Sequence, residues 1–464
     1  MDFVGRSSEL RLLAEAWQAP ASAFIPVYGR RRVGKSQLLR RFLEGRPGIY
    51  YLGKQAPAAL QRRELASEAA HRLGEPLLAQ LRADSWREVL RAIVQAYRGE
   101  EKLVLVLDEF QWMAEASPEL PSVLQELWDL EWQSQRRVML ILCGSYIGFM
   151  EREVLGEKSP LFGRRTAQIL LRPFGYREAA LFHSRLSRVD HARTYAVCGG
   201  MPYYLRQFEE GRSFEQNLVR QVFTESSPLF REPDFLLREE LREVSTYAAI
   251  LSALAGGSNT PMGIAEASGL DARKLPYYLQ QLQDLGFVDR RYPLDGAPPS
   301  PRQVRYELTD PLLRFWYRFV FPNSSALELR GPEATFRELV RPQLDSYLGR
   351  AFERLAREAL VEIYRRDQVM SSFEIGEYWS RDVQIDLVGL RGDGVVDLGE
   401  CKWGAIPSAT ELERELQRKA TFFPNRRAGS LALHIFCREK PKKKREDGGN
   451  AACRWHDLAE IYAP

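Results

Sequence analysis

Eight consecutive residues, Gly29-Arg30-Arg31-Arg32-Val33-Gly34-Lys35-Ser36, have the make-up needed to hold a chain of phosphates. The glycines let backbone N–H groups curl inward at the positive end of the helix that follows. Lys35 can neutralise β- and γ-phosphate charge, and the Ser36 hydroxyl can join the shell of a Mg²⁺ ion. Farther along, the apolar run 103–107 ends in two carboxylates, Asp108 and Glu109. Asp108 would hold Mg²⁺ through water, and Glu109 is placed to orient or deprotonate an attacking water. Alone, the pair also reads as a strand followed by a helix-capping acid. Its distance downstream of the glycine loop favours the catalytic reading.

A second constellation comprises Asp386, Glu400 and Lys402. Glu400 and Lys402 are two residues apart, so on a strand they emerge on one face. The turn Gly392-Asp393-Gly394 folds the preceding strand back, which brings Asp386 and Glu400 together. Two acids sharing a site repel unless a cation compensates them. A divalent metal would do so, polarise a phosphodiester and lower the pKa of a bound water. Lys402 would orient that water or stabilise developing charge. Glu353, on the flank of the preceding helix, is within reach of the same metal. The bland alternatives stay open: Glu353 paired with Arg357 at i,i+4, an edge-strand Glu400–Lys402 pair, and Asp386 as an ordinary strand acid.

The elements that must position these groups follow from periodicity. Short apolar runs at 24–28, 49–52, 103–107, 138–143 and 169–171 alternate with helical stretches, which predicts crossover units and a parallel sheet. Between about 240 and 320 the pattern becomes three helices, the last carrying Leu275, Leu279, Leu282 and Leu285, followed by strands at 287–292 and 303–308. That order predicts a winged helix-turn-helix. A linker is expected at 322–332. Beyond it come a helix at 344–364, strands at 369–379, 383–390 and 394–402, a helix at 410–423 and a strand at 430–437. The tract 440–445, with Gly448 and Gly449, reads as an exposed basic loop.

These motifs, with Phe3-Val4-Gly5-Arg6, Cys143-Gly144-Ser145, Ser159-Pro160-Leu161-Phe162-Gly163-Arg164 and Cys198-Gly199-Gly200-Met201-Pro202, resemble the archaeal-type ATPases of the STAND branch of AAA+ proteins. The resemblance implies ATP and Mg²⁺ as ligands, with slow turnover in a switch. Gly29, Arg32, Val33, Gly34, Lys35, Ser36 and Gln37 are the loop residues assigned to nucleotide. Val4 and Gly5 would line the adenine pocket, Ser145 would be a polar sensor beside Asp108, and Pro202 would pack near the base. Arg164 is a candidate for stabilising γ-phosphate charge, within the chain or across to a neighbouring subunit. The order α-β-β-β-α-β around Asp386, Glu400 and Lys402 resembles the PD-(D/E)xK nuclease fold, with Glu353 as the extra acid of many members and Mg²⁺ or Mn²⁺ as the implied metal. Ile385 stands where that fold's name places another acid.

The expected fold class is therefore α/β: a P-loop AAA+/STAND ATPase with a parallel sheet and helical lid (1–235), a winged helix-turn-helix (236–325) and a restriction-endonuclease-like α/β domain (326–464). The leading functional expectation is an ATP-binding and ATP-hydrolysing switch that regulates or positions a metal-dependent nuclease-like domain on DNA. The alternative is a STAND signalling or scaffold ATPase whose C-terminal domain binds nucleic acid or partners without cleaving, with nucleotide-dependent homo-oligomerisation. A ligand-responsive transcription regulator ranks last, because the third helix offers only Arg273, Lys274, Tyr277, Gln280 and Gln281, and the wing Arg290, Arg291, Arg302 and Arg305.

The 464 residues leave room for about three domains. At 45% apolar, 28% charged and net +4, the chain is of soluble globular type with no bulk demand for a polyanion. Five scattered cysteines without a CxxC pair predict reduced thiols in a cytoplasmic protein. No basic-then-apolar leader opens the sequence, and the longest apolar runs are strand-sized, so no membrane span is expected.

Overall fold

The computed structural model describes residues 3–82, 84–441 and 453–463. The chain divides into two compact units: Met1–Pro173 with Met201–Tyr203, and Phe174–Gly200 with Tyr204–Pro464. The expected boundaries at 235 and 325 both fall inside the second. Among the described residues, no helix is long and apolar enough to cross a membrane.

In the first unit, β1 (Ala23–Tyr28), β2 (Gly48–Leu52), β3 (Leu103–Asp108), β4 (Val138–Gly144) and β5 (Ile169–Leu170) form one sheet in the order β2-β3-β4-β1-β5, every pairing parallel. All residues of β1, β3 and β4 are buried. Leu103, Leu105 and Leu107 pack with Leu65 and Ala69 of α1 (Ala58–Leu73) and with Trp86, Leu90 and Ile93 of α2 (Trp86–Ala96). Val104 and Val106 are equally buried, so the opposite face is covered too. That two-sided burial is what an uninterrupted apolar strand requires. Because the strands are parallel, Gly29, Asp108 and Ser145 follow strand ends on one edge, where open α/β sheets place their ligands. The expected run 169–171 contributes only two strand residues.

The second unit contains α3 (Arg188–Cys198), then α4 (Val244–Gly256), α5 (Pro261–Ser268) and α6 (Leu275–Asp284). An antiparallel hairpin follows, β6 (Val288–Arg291) with β7 (Arg305–Leu308), each shorter than the apolar pattern suggested. The linker expected at 322–332 is instead helical: Ser324–Thr335 is broken only at Gly331, where φ is 77° and Pro332 follows. The proline and glycine there mark a kink within packed helices.

The long helix α7 (Arg341–Arg366) lies under a second sheet of β8 (Phe373–Trp379), β9 (Gln384–Arg391), β10 (Val395–Lys402), β11 (Ser430–Cys437) and β12 (Arg454–Asp457), in the order β12-β11-β10-β9-β8. β8, β9 and β10 pair antiparallel, whereas β10, β11 and β12 pair parallel. α8 (Ala409–Thr421) makes the crossover from β10 to β11. Residues 442–445, Gly448 and Gly449 of the expected basic loop lie outside the described residues. Lys440 pairs with Glu460 at 3.0 Å.

A line of buried polar groups runs through this sheet. The Tyr364 hydroxyl donates to Asp397 at 2.5 Å, His434 Nε2 lies 2.8 Å from the other Asp397 oxygen, and His434 Nδ1 lies 3.0 Å from His456 Nε2. His456 Nδ1 then lies 3.1 Å from Glu460. Complete burial of His456, with His434 beside it, pushes its pKa down to about 4. A base with a depressed folded pKa stabilises the fold above its unfolded pKa and loses that stability as pH falls through the folded value. The window is therefore pH 6.5 down to 4, and the loss is about 3 kcal/mol at roughly 1.4 kcal/mol per pH unit. Urea unfolding followed by circular dichroism should show this acid slope in the parent chain and a shallower one in His456→Gln. Equal slopes would remove the histidine as its cause.

Candidate functional site

The glycine loop leaves β1 and enters a helix, Lys35–Leu43, whose first turn no side chain caps. Its leading amides are thus free to meet an anion. The loop backbone turns backwards at Gly29 (φ 151°), Arg32 (φ 68°) and Gly34 (φ 97°). At Gly29 a Cβ would sit 2.3 Å from the Leu171 carbonyl oxygen, so no other residue fits that position. Lys35 is buried and donates to the carbonyls of Gly29 (2.7 Å) and Arg30 (3.1 Å), and burial lowers its pKa. Gln37 is exposed on the helix's first turn.

Arg6, a residue without an assigned role on sequence alone, fastens the loop. Its guanidinium donates to the Val33 carbonyl at 3.1 Å and the Arg172 carbonyl at 2.8 Å, and pairs with Glu9 at 3.2 Å. Val4 and Gly5 immediately precede it, Gly5 with φ 67°. On the other side, Pro202 Cγ lies 3.7 Å from where a Gly34 Cβ would be, and Arg32 stacks over the Tyr203 ring at 4.4 Å.

Asp108 is fully buried at the end of β3. Its Oδ2 accepts from the Ser36 hydroxyl at 2.7 Å and from the Tyr50 hydroxyl, while Oδ1 accepts from the Glu109 amide at 2.9 Å. Burial and the Asp108 charge raise the Tyr50 pKa, so the phenol stays a donor. Tyr50 is a site residue that only the register of β2 on β3 reveals, through Tyr50↔Val106 and Leu52↔Asp108. Glu109 adopts a left-handed conformation (φ 50°), and its carboxylate accepts from Ser145 Oγ at 2.8 Å and from Gln111 Nε2. Ser145 and Gln111 are themselves 3.3 Å apart and buried. Uncapped amides, an ammonium resting on carbonyls and a hydroxyl paired with a buried carboxylate fit a phosphate chain with a hard divalent cation.

Arg164 stands apart from this group. Its guanidinium holds Asp129 through two nitrogens (2.7 and 2.8 Å) and donates to the carbonyls of Pro160 and Phe162. Contact with a phosphate requires it to leave Asp129.

In the second unit, Asp386 and Glu400 are buried on neighbouring strands. Asp386 Oδ2 accepts from the Cys401 amide at 3.0 Å. Burial and the nearby Glu400 raise the Asp386 pKa, and burial and Asp386 raise that of Glu353, so the three acids are close enough to feel one another. Glu400 is already compensated: one oxygen accepts from Lys402 at 3.0 Å and the other from Lys419 at 2.7 Å. On sequence, Lys419 is one of the residues of the helix at 410–423, with Glu411, Glu415, Gln417 and Arg418, that could touch a nucleic-acid backbone; in the structure it turns onto Glu400. It comes from α8, a helix the sequence places without showing which strand it covers. Among the described residues no group of three or more His, Cys, Asp or Glu side chains is arranged to hold a metal ion. The expected Glu353–Asp386–Glu400 metal set is thus not preformed, because the lysines take the role given to the cation. Arg357 donates to the Asp386 carbonyl at 2.9 Å and lies 3.9 Å from Glu377, so it serves the strand backbone besides acting on Glu353.

On the three-helix segment, Arg273, Lys274, Tyr277 and Gln280 are exposed as expected. Arg291 is committed to Glu307 at 2.8 Å.

Replacing Arg6 by alanine strips the buried Val33 carbonyl and the part-buried Arg172 carbonyl of their charged donor, and should cost about 2–3 kcal/mol of stability. Thermal unfolding measures this directly, and an unchanged midpoint would show that the loop is held by other means.

Residues 3–208 match a family described as an ATPase domain predominantly from Archaea, and residues 316–416 a family of archaeal and bacterial proteins of unknown function. An uncharacterized protein of Methanocaldococcus jannaschii is 30% identical over 423 residues, covering 90% of this chain and 92% of the relative. An uncharacterized ATP-binding protein of the same organism is 46% identical over 44 residues, 10% of this chain and 75% of its own length. The Walker-type ATPase of Pyrococcus abyssi, 23% identical, superposes with a TM-score of 0.52 over 68% of this chain and 96% of its own, which shows a shared fold. Residues 3–208 are thus an archaeal-type ATPase domain, and over nearly its whole length this chain belongs to the same family as the first M. jannaschii protein.

Proposed function

We propose that the chain is an ATP-operated switch whose second unit acts on nucleic acid, DNA above all. The observation that carries the first half is the Ser36–Asp108 pair beside Lys35, with Glu109 held next to it. In this reading the amides of Gly29 to Ser36 and the Lys35 ammonium bind the phosphates, Lys35 exchanging the Gly29 and Arg30 carbonyls for phosphoryl oxygens. Mg²⁺, held by Ser36 and Asp108, would neutralise charge on the β- and γ-phosphates. Glu109 accepts the proton of the attacking water, and Ser145 and Gln111 fix the direction its carboxylate faces. Val4, Gly5 and Pro202 serve the base. Because Ser145 and Gln111 hold the Glu109 carboxylate, slow turnover suits the arrangement.

Glu109→Gln should therefore bind ATP within about threefold of the parent yet hydrolyse it at least roughly 100-fold more slowly. Lys35→Ala should lose most of its nucleotide affinity in calorimetry. Hydrolysis at parental rate in Glu109→Gln would sink the assignment of the base.

For the second unit, α4 to α6 with the β6–β7 hairpin support a winged helix, and the α-β-β-β-α-β order with Asp386, Glu400 and Lys402 supports a PD-(D/E)xK nuclease-like fold. We assign Glu353, Asp386 and Glu400 to Mg²⁺ or Mn²⁺ and Lys402 to the attacking water, an arrangement in which Lys419 must yield to the metal. Plasmid incubated with either metal, with and without ATP, should be nicked by the parent and left intact by Lys402→Ala and Asp386→Ala. A second reading is favoured by the two ammonium groups on Glu400: a domain that binds without cutting, in a STAND-type scaffold. No nicking by the parent, together with nucleotide-dependent assembly on a sizing column, would select it.

A further inference from the structure

A polar cavity of about 300 Å³ lies between the β6–β7 hairpin and α7, within the second unit. Six guanidinium groups line it: Arg291, Arg305, Arg314, Arg350, Arg354 and Arg357. Only three carboxylates, Glu307, Glu353 and Glu377, face them. Four of the arginines have acceptors. Arg291 holds Glu307 at 2.8 Å, Arg354 holds the same carboxylate and the Leu308 carbonyl, Arg314 reaches the Leu308 carbonyl at 3.4 Å, and Arg357 serves the Asp386 carbonyl.

Arg305 and Arg350 differ. Arg305 lies flat over the Trp379 ring at 4.3 Å, and Arg350 stands exposed at the rim; neither side chain makes a hydrogen bond or ion pair with a described residue. Partial burial takes water from the Arg305 charge and lowers its pKa; the Glu377 charge opposes this without an acceptor among the described residues coming within hydrogen-bond distance. A guanidinium in that condition calls for an anion, and its planar fork of donors matches phosphate oxygens two at a time. At about 300 Å³ the cavity is at the small end of ligand sites, enough for one phosphate with one small attached group. Tyr306 and Tyr347, both buried and both lining the cavity, add aromatic surface for that group.

We propose that this cavity is a second anion site, separate from the phosphate loop, that takes a single phosphate ester through Arg305 and Arg350. The ester is either a free nucleoside monophosphate or the terminal phosphate of a nucleic-acid strand, which share the same recognising chemistry. The site does not depend on whether Asp386 and Glu400 support cleavage.

The test uses the full chain carrying Lys35→Ala, which disables the phosphate loop. Calorimetric titrations compare inorganic phosphate, AMP, and a short single-stranded oligonucleotide with and without a 5′-phosphate. Binding of AMP or phosphate identifies a free ligand, and binding of only the 5′-phosphorylated oligonucleotide identifies a strand end. In either case Arg350→Ala, a change at an exposed position, should weaken binding at least tenfold, and Arg305→Lys should weaken it while keeping the charge. No binding by any probe, or equal affinity in Arg350→Ala, overturns the proposal. Failure of plasmid nicking leaves these titrations unaffected, so the two ideas fail separately.

Discussion

A peptide loop that must offer its amides to an anion cannot use those amides to hold itself together. That constraint governs the first unit. The backbone between Gly29 and Gly34 has positive φ three times, at Gly29, Arg32 and Gly34. Beyond the Lys35 bonds to the Gly29 and Arg30 carbonyls, neighbouring parts hold it: the Arg6 guanidinium on the Val33 carbonyl, the Leu171 backbone against Gly29, and the parallel strands that fix where β1 ends. The same sheet delivers Asp108 and Ser145 to the neighbouring strand ends, so Ser36 meets Asp108 at 2.7 Å across 72 residues of sequence. Fold and site here are one consequence of a buried parallel sheet.

The second unit is governed by a different constraint, that of like charges in a poor dielectric. Asp386 and Glu400 sit on adjacent buried strands, and Glu353 is near enough that its burial and the Asp386 charge raise its pKa. Lysines from β10 and α8 settle the charge of Glu400, an amide serves Asp386, and Arg357 supports the strand behind it. Such compensation makes a cluster of acids tolerable inside a fold. Lysines that compensate an acid through side-chain contacts alone can be displaced by a stronger cation.

The sequence was most readable where one residue type serves one purpose. Apolar runs became β1, β3 and β4 because a sheet covered on both faces leaves no polar alternation to confuse them. The glycine loop was readable because positive φ and a close backbone approach admit little else. Less readable were residues whose roles come from across the chain. Arg6 and Tyr50 could have been an ordinary surface arginine and strand tyrosine until strand register and helix packing placed them. Lys419 reads as a helix residue that could touch a nucleic-acid backbone, yet packing turns it onto Glu400. The stretch 322–332 shows the reverse error: proline, glycine and serine suggested a linker, whereas flanking helices enforce a kinked helix. β12 escaped notice because four residues with a charged start carry no periodicity.

The path of the chain carries one more consequence. Met201–Tyr203 belongs to the first unit although the residues on either side belong to the second. The polypeptide therefore passes from one body to the other three times, not once. Truncation at Pro173 would yield a first unit lacking Pro202 and Tyr203, and a lone proteolytic nick at that junction could not liberate either half. Bisecting this protein into two faithful fragments calls for a circularly permuted or grafted design.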